Sequence, residues 1–302
     1  MTFYNQIESN IRKTWFFITL FLVLIIVLGW IFSNIFDSNW ILIFAVAYSV
    51  IWSFLSYWYS DKIILSFNKA HSVSKNEEPE LYRIVENLAI TAGLPMPKIY
   101  IMEEESPNAF ATGRNPQNSV ICVTRGLLSI LDKPELEGVI AHEFSHIGNR
   151  DILLSSVIVV LVGMISLLGN WFFRGMRFGV GGSQGGDDND SGGGIIFLVA
   201  GLLTAILAPI AASLLQLAIS RKREFLADSS GVLMTRYPEG LARALEKISQ
   251  YPKSLNLVFD ATRSLFIADP MKKEKNNWFS RLWLTHPPVE ERVKKLREMS
   301  LA

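Results

Sequence analysis

The sequence predicts a mainly α integral membrane protein with four transmembrane helices and an α+β domain outside the bilayer. Three observations carry this prediction. Half of the 302 residues are hydrophobic and only 19% are charged, against roughly 25% in an ordinary soluble domain. Four long runs contain no charged residue. Around them the pattern changes to short strands and capped amphipathic helices. Mean hydropathy is positive, so lipid is the solvent for part of the chain. The net charge of +1 gives no overall field that would recruit nucleic acid. The single cysteine, Cys122, excludes an intramolecular disulfide or a cysteine-rich metal site and fits a reducing compartment.

The first run, Trp15 to Phe32, and the second, Ile41 to Tyr59, are each long enough to cross a bilayer core, which takes about 20 apolar residues. No A-x-A-like cleavage site follows the first, so it reads as a span and not a cleaved signal. The connector from Ser33 to Trp40 allows only a tight helical hairpin. The third run, Ile152 to Phe173, and the fourth, Ile195 to Ile219, are less clean, carrying Asn170, Pro209 and Gln216. A buried hairpin in a soluble core is the alternative for this pair, but two uncharged runs of such length are uncommon there. Between them, Phe178 to Gly194 is a glycine-rich loop whose acidic cluster lacks the regular ligand spacing of a calcium site.

Basic residues set the orientation. Arg12 and Lys13 precede the first run; Lys62, Lys69 and Lys75 follow the second; Arg221, Lys222 and Arg223 follow the fourth. The first hairpin tip has none, and Arg174 and Arg177 after the third run are a mild objection. Both termini are therefore expected in the cytoplasm. The chain divides into an N-terminal transmembrane hairpin (1–60), a cytoplasmic segment (61–151), a second transmembrane hairpin (152–219) and a second cytoplasmic segment (220–302).

The first cytoplasmic segment reads as α+β. Pro79 to Leu94 has helical spacing, with Leu81, Ile84, Val85, Leu88 and Ala89 on one face. Lys98 to Met102 and Ser119 to Thr124 read as strands, with a short extended piece at Asn108 to Gly113. Asp132 and Glu135 stand at capping-box spacing with Pro134 in the first turn, so a helix begins there.

That helix carries His142-Glu143-Phe144-Ser145-His146. Histidines four apart project from one helix face, about 40° apart in angle, as a two-point clamp for a metal ion. Glu143 lies about 60° around from His146, near the ion without competing for its direction. Zinc takes neutral imidazole at about 2.0–2.1 Å and lowers the pKa of bound water to about 7. A carboxylate beside that water can remove its proton and pass it to a leaving amine. A catalytic site of this type needs a third protein ligand.

Glu224 is the candidate third ligand, and Asp228, one turn on, is the candidate acceptor for a ligating imidazole N–H. An isolated E-x-x-x-D would ordinarily be a solvated pair balancing Arg221 and Arg223. Here His146 lies about 9 Å along a helix before the third run, and Glu224 about 7.5 Å beyond the fourth. An antiparallel hairpin of those runs brings both motifs to one height at the cytoplasmic interface. The fold class is therefore an integral membrane protein with a zincin-like metalloprotease domain.

HEFSH, the stretch SRKREFLAD from Ser220, NAFATG from Asn108 and THPPVEER from Thr285 together resemble the HtpX family of heat-shock membrane metalloproteases, in the superfamily of the CAAX prenyl proteases. The order and spacing of spans and motifs match along nearly the whole chain. The resemblance implies an ATP-independent endopeptidase with one Zn2+ per subunit, His142, His146 and Glu224 as ligands and Glu143 as base. It implies a multi-pass protein of the bacterial cytoplasmic (inner) membrane with its active site on the cytoplasmic side. It also implies a stress-response role in quality control, with damaged membrane proteins or unfolded polypeptides as substrates. Asn108, Ala109, Phe110, Ala111 and Thr112 are then candidates for an edge strand that binds extended substrate through its main chain. His286 is a candidate donor to the developing oxyanion, though Thr-His-Pro-Pro suits a helix start before Val289 equally well. His71 has no partner in sequence, and Arg150-Asp151 reads as an interfacial boundary.

Two other classes compete. A transporter would place ionisable residues along its path, and the four runs contain no Asp, Glu, Lys, Arg or His. A proteolytically dead metal-binding scaffold has no reason to keep Glu143 between the two histidines.

Overall fold

The structure, a computed structural model, describes residues 3–179, 220–252, 260–267 and 287–299. The fourth apolar run, nearly all of the glycine-rich loop and His286 lie outside the described residues. Helix α1 (Phe3–Ile35) and helix α2 (Asn39–Phe67) form the first hairpin, with Asp37 at φ 48 in the three-residue turn. They pack at very short range at one point: a Cβ on Gly29 would lie 2.2 Å from Cβ of Ala45. Both helices run past the apolar segments, α1 at its start and α2 at its end.

Lipid is the solvent these helices are built for. Trp15, Phe16, Val23, Val27, Trp30, Trp40, Ile43, Phe44, Val50, Ile51 and Phe54 are all exposed, an apolar surface that water would not tolerate. Trp30 and Trp40 mark the hairpin tip. Trp15 stacks on Tyr57 at 5.2 Å at the other end, beside Trp58. The two aromatic levels are about 22 Å apart along α1, and aromatic residues at both ends of a span are the pattern of interfacial belts. Arg114 sits 4.3 Å over the Trp58 ring at the same boundary.

After α2 the chain forms strand β1 (His71–Ser72), helix α3 (Pro79–Ala92), strand β2 (Lys98–Met102), strand β3 (Ala109–Gly113) and strand β4 (Ser119–Thr124). Helix α3 starts with Pro79 at its first turn and stops at Gly93, whose φ of 64 suits a residue without Cβ. The four-stranded sheet has the order β1-β2-β4-β3. Strand β4 inserts parallel to β2 and antiparallel to β3, leaving β3 at an edge. His71 is exposed and pairs with Glu103 at 3.5 Å.

Helix α4 (Arg125–Ile130) leads into helix α5 (Lys133–Gly148), where Asp132 and Glu135 form the capping box in both directions. Helix α5 is buried on nearly every side, between the sheet, α3 and two later helices, α7 (Arg221–Thr235) and α8 (Pro238–Gln250). Gly138 makes the α8 contact possible, since a Cβ there would meet the backbone nitrogen of Leu241 at 2.6 Å. Helix α9 (Val289–Met299) packs on α7 and α8.

Helix α6 (Asp151–Gly179) follows α5 after a sharp bend in which Arg150 takes φ 60. Its segment Asp151–Leu168 is long and apolar enough to cross a membrane. Unlike α1 and α2 it is mostly covered by protein, with α1, α2, β3 and a 3-10 turn at Asp260–Leu265 around it. The described residues thus form a mostly helical protein with three candidate spans and a small sheet.

Candidate metal centre

Helices α5, α6 and α7 meet where α5 ends. His142 and His146 leave α5 from one face, with their Nε2 atoms 3.2 Å apart. Glu224, in the first turn of α7, faces both: Oε2 is 3.8 Å from His142 Nε2 and Oε1 is 3.6 Å from His146 Nε2. One donor atom from each residue lies within 4.8 Å of the others. Gly231 lets α7 approach this closely, since a Cβ there would touch the His142 backbone nitrogen at 3.1 Å.

Each histidine is oriented by a carboxylate on its far side. His142 Nδ1 donates to Asp228 Oδ1 at 2.9 Å, and His146 Nδ1 donates to Asp151 Oδ2 at 3.0 Å. A carboxylate acceptor fixes the proton on Nδ1 and leaves the Nε2 lone pair free to bind a cation. Both lone pairs then point at one spot with Glu224. Two nitrogen ligands of a tetrahedral zinc at about 2.0–2.1 Å are separated by roughly 3.3 Å, so the 3.2 Å spacing and the N, N, O donor set fit that ion.

The local field also calls for positive charge. Burial by itself would lower the His146 pKa; the hydrogen bond to Asp151 and the nearby charges of Glu224, Asp151 and Glu143 outweigh it, raising that pKa to about 9. Burial would raise Asp228, but Arg292 and His142 outweigh it and hold its carboxyl at about 2. Arg292, from α9, is fully buried and grips Asp228 in a bidentate pair, Nε to Oδ2 at 2.9 Å and Nη2 to Oδ1 at 2.6 Å. Its Nη1 donates to the Ile267 carbonyl at 3.0 Å and lies 3.9 Å from Glu224 Oε2.

Glu143 is buried and lines the same small cavity as the two histidines, Glu224, Asp151 and Ala111. Burial raises its pKa above the usual carboxylate value, partly offset by the histidines and by a hydrogen bond from the Ala111 N–H. A carboxylate with a raised pKa next to a cation site is a competent proton acceptor near neutral pH.

The five candidate residues for an edge strand are brought to the site unequally. Ala111 lines the cavity. Asn108 holds the strand's entry, exchanging hydrogen bonds with Thr124. The Ala109 carbonyl accepts from Ile267 N at 3.0 Å, Phe110 packs edge-on against Phe266, and Thr112 bonds Ser156 at 2.7 Å. Ser264, Leu265 and Ile267, from the segment that packs on β3, also line the cavity. Asp151 is the residue whose part was not anticipated: it is no mere boundary residue but the buried partner of His146, because the bend at Arg150 turns the first residue of α6 back toward α5.

Comparisons with known proteins show the family. The model of "Peptidase family M48" matches residues 75–300. A "Protease HtpX homolog" of Thermoanaerobacter pseudethanolicus is 43% identical, covering 99% of each chain. Another, of Streptococcus gordonii, is 43% identical over 98% of this chain and 99% of its own. Among solved structures, S. mikatae Ste24p aligns with a TM-score of 0.51 at 19% identity, covering 97% of this chain and 67% of that one, a likeness of fold.

Proposed function

The chain belongs to peptidase family M48 and is a membrane metalloprotease, and on that premise we propose that it is a zinc endopeptidase with His142, His146 and Glu224 as ligands. The observation that carries this is the convergence of two Nδ1-anchored imidazoles and one carboxylate within 4.8 Å. Zinc held by these three residues would supply Lewis acidity for a scissile carbonyl and for water. Glu143 takes the proton of the attacking water and returns it to the leaving amine. Asp228, clamped by Arg292, keeps His142 in its ligating tautomer. Residues 108–112 are proposed to bind an extended substrate through the main chain at Ala111, the one of the five that lines the cavity beside Glu143; the Ala109 carbonyl is already taken by Ile267 and the Ala111 N–H by Glu143. His286, just before the described α9, is a candidate oxyanion donor on sequence grounds.

The proposed substrates are damaged or misfolded membrane proteins, since the site lies where two candidate spans, α1 and α6, meet the protease helices. The proposed topology is four spans in two hairpins (1–60 and 152–219), with the protease segments 61–151 and 220–302 and both termini in the cytoplasm of a bacterial inner membrane. Reporter fusions at Ser183 and at the C-terminus are expected on opposite sides; finding them on the same side would mean that the second hairpin does not span.

Metal dependence tests the reaction. Detergent-solubilised protein stripped of metal is expected to lose cleavage of an unfolded polypeptide and to regain it with one equivalent of zinc. Full activity of the stripped protein would rule out the zinc assignment.

A further inference from the structure

The first membrane helix reaches the metal centre through one side chain. Asn10 lies on α1, about 7.5 Å along the helix before Trp15. It is 1% exposed although its side chain is polar. Its amide group makes two hydrogen bonds to residues far away in sequence: Nδ2 donates to the Asn149 carbonyl at 3.0 Å and to Asp151 Oδ1 at 2.8 Å. Asn149 is the C-cap of α5, so its carbonyl belongs to a helix end that has run out of intrahelical partners. Asp151 is the first residue of α6, and its other oxygen accepts from His146 Nδ1. One amide thus clamps both sides of the bend that connects the HEFSH helix to α6.

We propose that Asn10 is a positioning residue for the metal centre, acting through Asp151 on His146. A carboxylate has two oxygens and a freely rotating plane. With Oδ1 held by Asn10 Nδ2 and by Arg223 Nε at 3.3 Å, Oδ2 is fixed toward the imidazole. Removing the Asn10 donor leaves Oδ1 to Arg223 alone, and the restraint on the His146 tautomer and ring orientation loosens. Asn10 also ties metal affinity to the seating of α1, so a membrane helix outside the protease segments becomes part of the site's framework. The inference rests on His146 being a ligand.

The test is zinc affinity, measured by competition with a chromophoric chelator on detergent-solubilised full-length protein. Asn10→Ala is expected to weaken zinc binding by about 10-fold, the lower end for loss of an outer partner of a ligand. Asn10→Leu keeps the packing volume without the donors and is expected to match it, with a melting temperature of the metal-free form close to wild type. In an Asp151→Ala background, Asn10→Ala should cause no further loss. Wild-type affinity in both Asn10 variants overturns the proposal, as does an equal loss with and without Asp151. The Co2+-substituted Asn10→Leu protein should show an altered visible spectrum, which packing far from the ligands would not change. His146→Ala separates the two levels: undiminished zinc binding there means the ligand assignment has failed, whereas abolished binding with normal Asn10 variants means only this inference has.

Discussion

Glu143→Gln should bind zinc as the wild type does and cleave an unfolded substrate about 10²–10⁴-fold more slowly, the usual contribution of a positioned general base. The two effects separate because Glu143 is beside the donor group and not in it. The proposed metal-holding set is His142, His146 and Glu224, and the orienting contacts of its histidines go to Asp228 and Asp151. Glutamine keeps the shape of the side chain and can still accept from the Ala111 N–H, the contact that fixes the carboxylate against β3. What it loses is the ability to take a proton. Burial holds the Glu143 carboxyl above its ordinary pKa, so removing that charge from a buried site costs the fold little. The measurement is the rate of cleavage at matched zinc occupancy, with metal content determined on the same sample. An active Glu143→Gln enzyme would remove Glu143 from the mechanism.

Much of this architecture could be seen in the residues, and what could not has a common physical cause. The capping box at Asp132 and Glu135, the strands at Lys98–Met102 and Ser119–Thr124 and the hairpin of α1 and α2 are local: each is decided by neighbours within a few residues. The i, i+4 pairs His142/His146 and Glu224/Asp228 are equally local; the hairpin expected to bring them to one height includes the fourth run, outside the described residues. The sheet order is not local, since β4 slips between β2 and β3. Nor is the lining of the cavity by Ser264, Leu265 and Ile267, residues without a periodic pattern.

Arg292 is a case in between. Beside Glu290 and Glu291 it looks like part of a solvated helix face. Yet Val289 stands three residues before it and Leu296 four after, so it lies on the apolar stripe, where a charged side chain needs a buried partner. That stripe was the available signal; the partner, Asp228, came only with the fold. Asp151 gave no such signal. Its role depends on the left-handed Arg150, and a non-glycine residue in that conformation is not announced by sequence.

Glu224→Ala should lose zinc by more than about 100-fold, beyond the range for outer partners of a ligand, and lose activity with it. The substitution would leave the ion two histidine donors and would remove the one carboxylate of the proposed ligand set. The choice of Glu224 over Asp228 for this test follows from Arg292. Removing Asp228 would strand a fully buried guanidinium, a fault worth roughly 3–5 kcal/mol, and metal loss could then come from a damaged fold. Removing Glu224 leaves Arg292 its bidentate pair with Asp228 and its bond to the Ile267 carbonyl. Helix α7 also keeps the close approach that Gly231 permits. The metal-free form should therefore melt near wild type while zinc binding falls. Glu224→Gln offers an oxygen without the charge and should fall between the two, separating the geometric part of the ligand from its electrostatic part. A Glu224→Ala protein that holds one zinc at wild-type affinity would show that the third ligand comes from elsewhere in the chain.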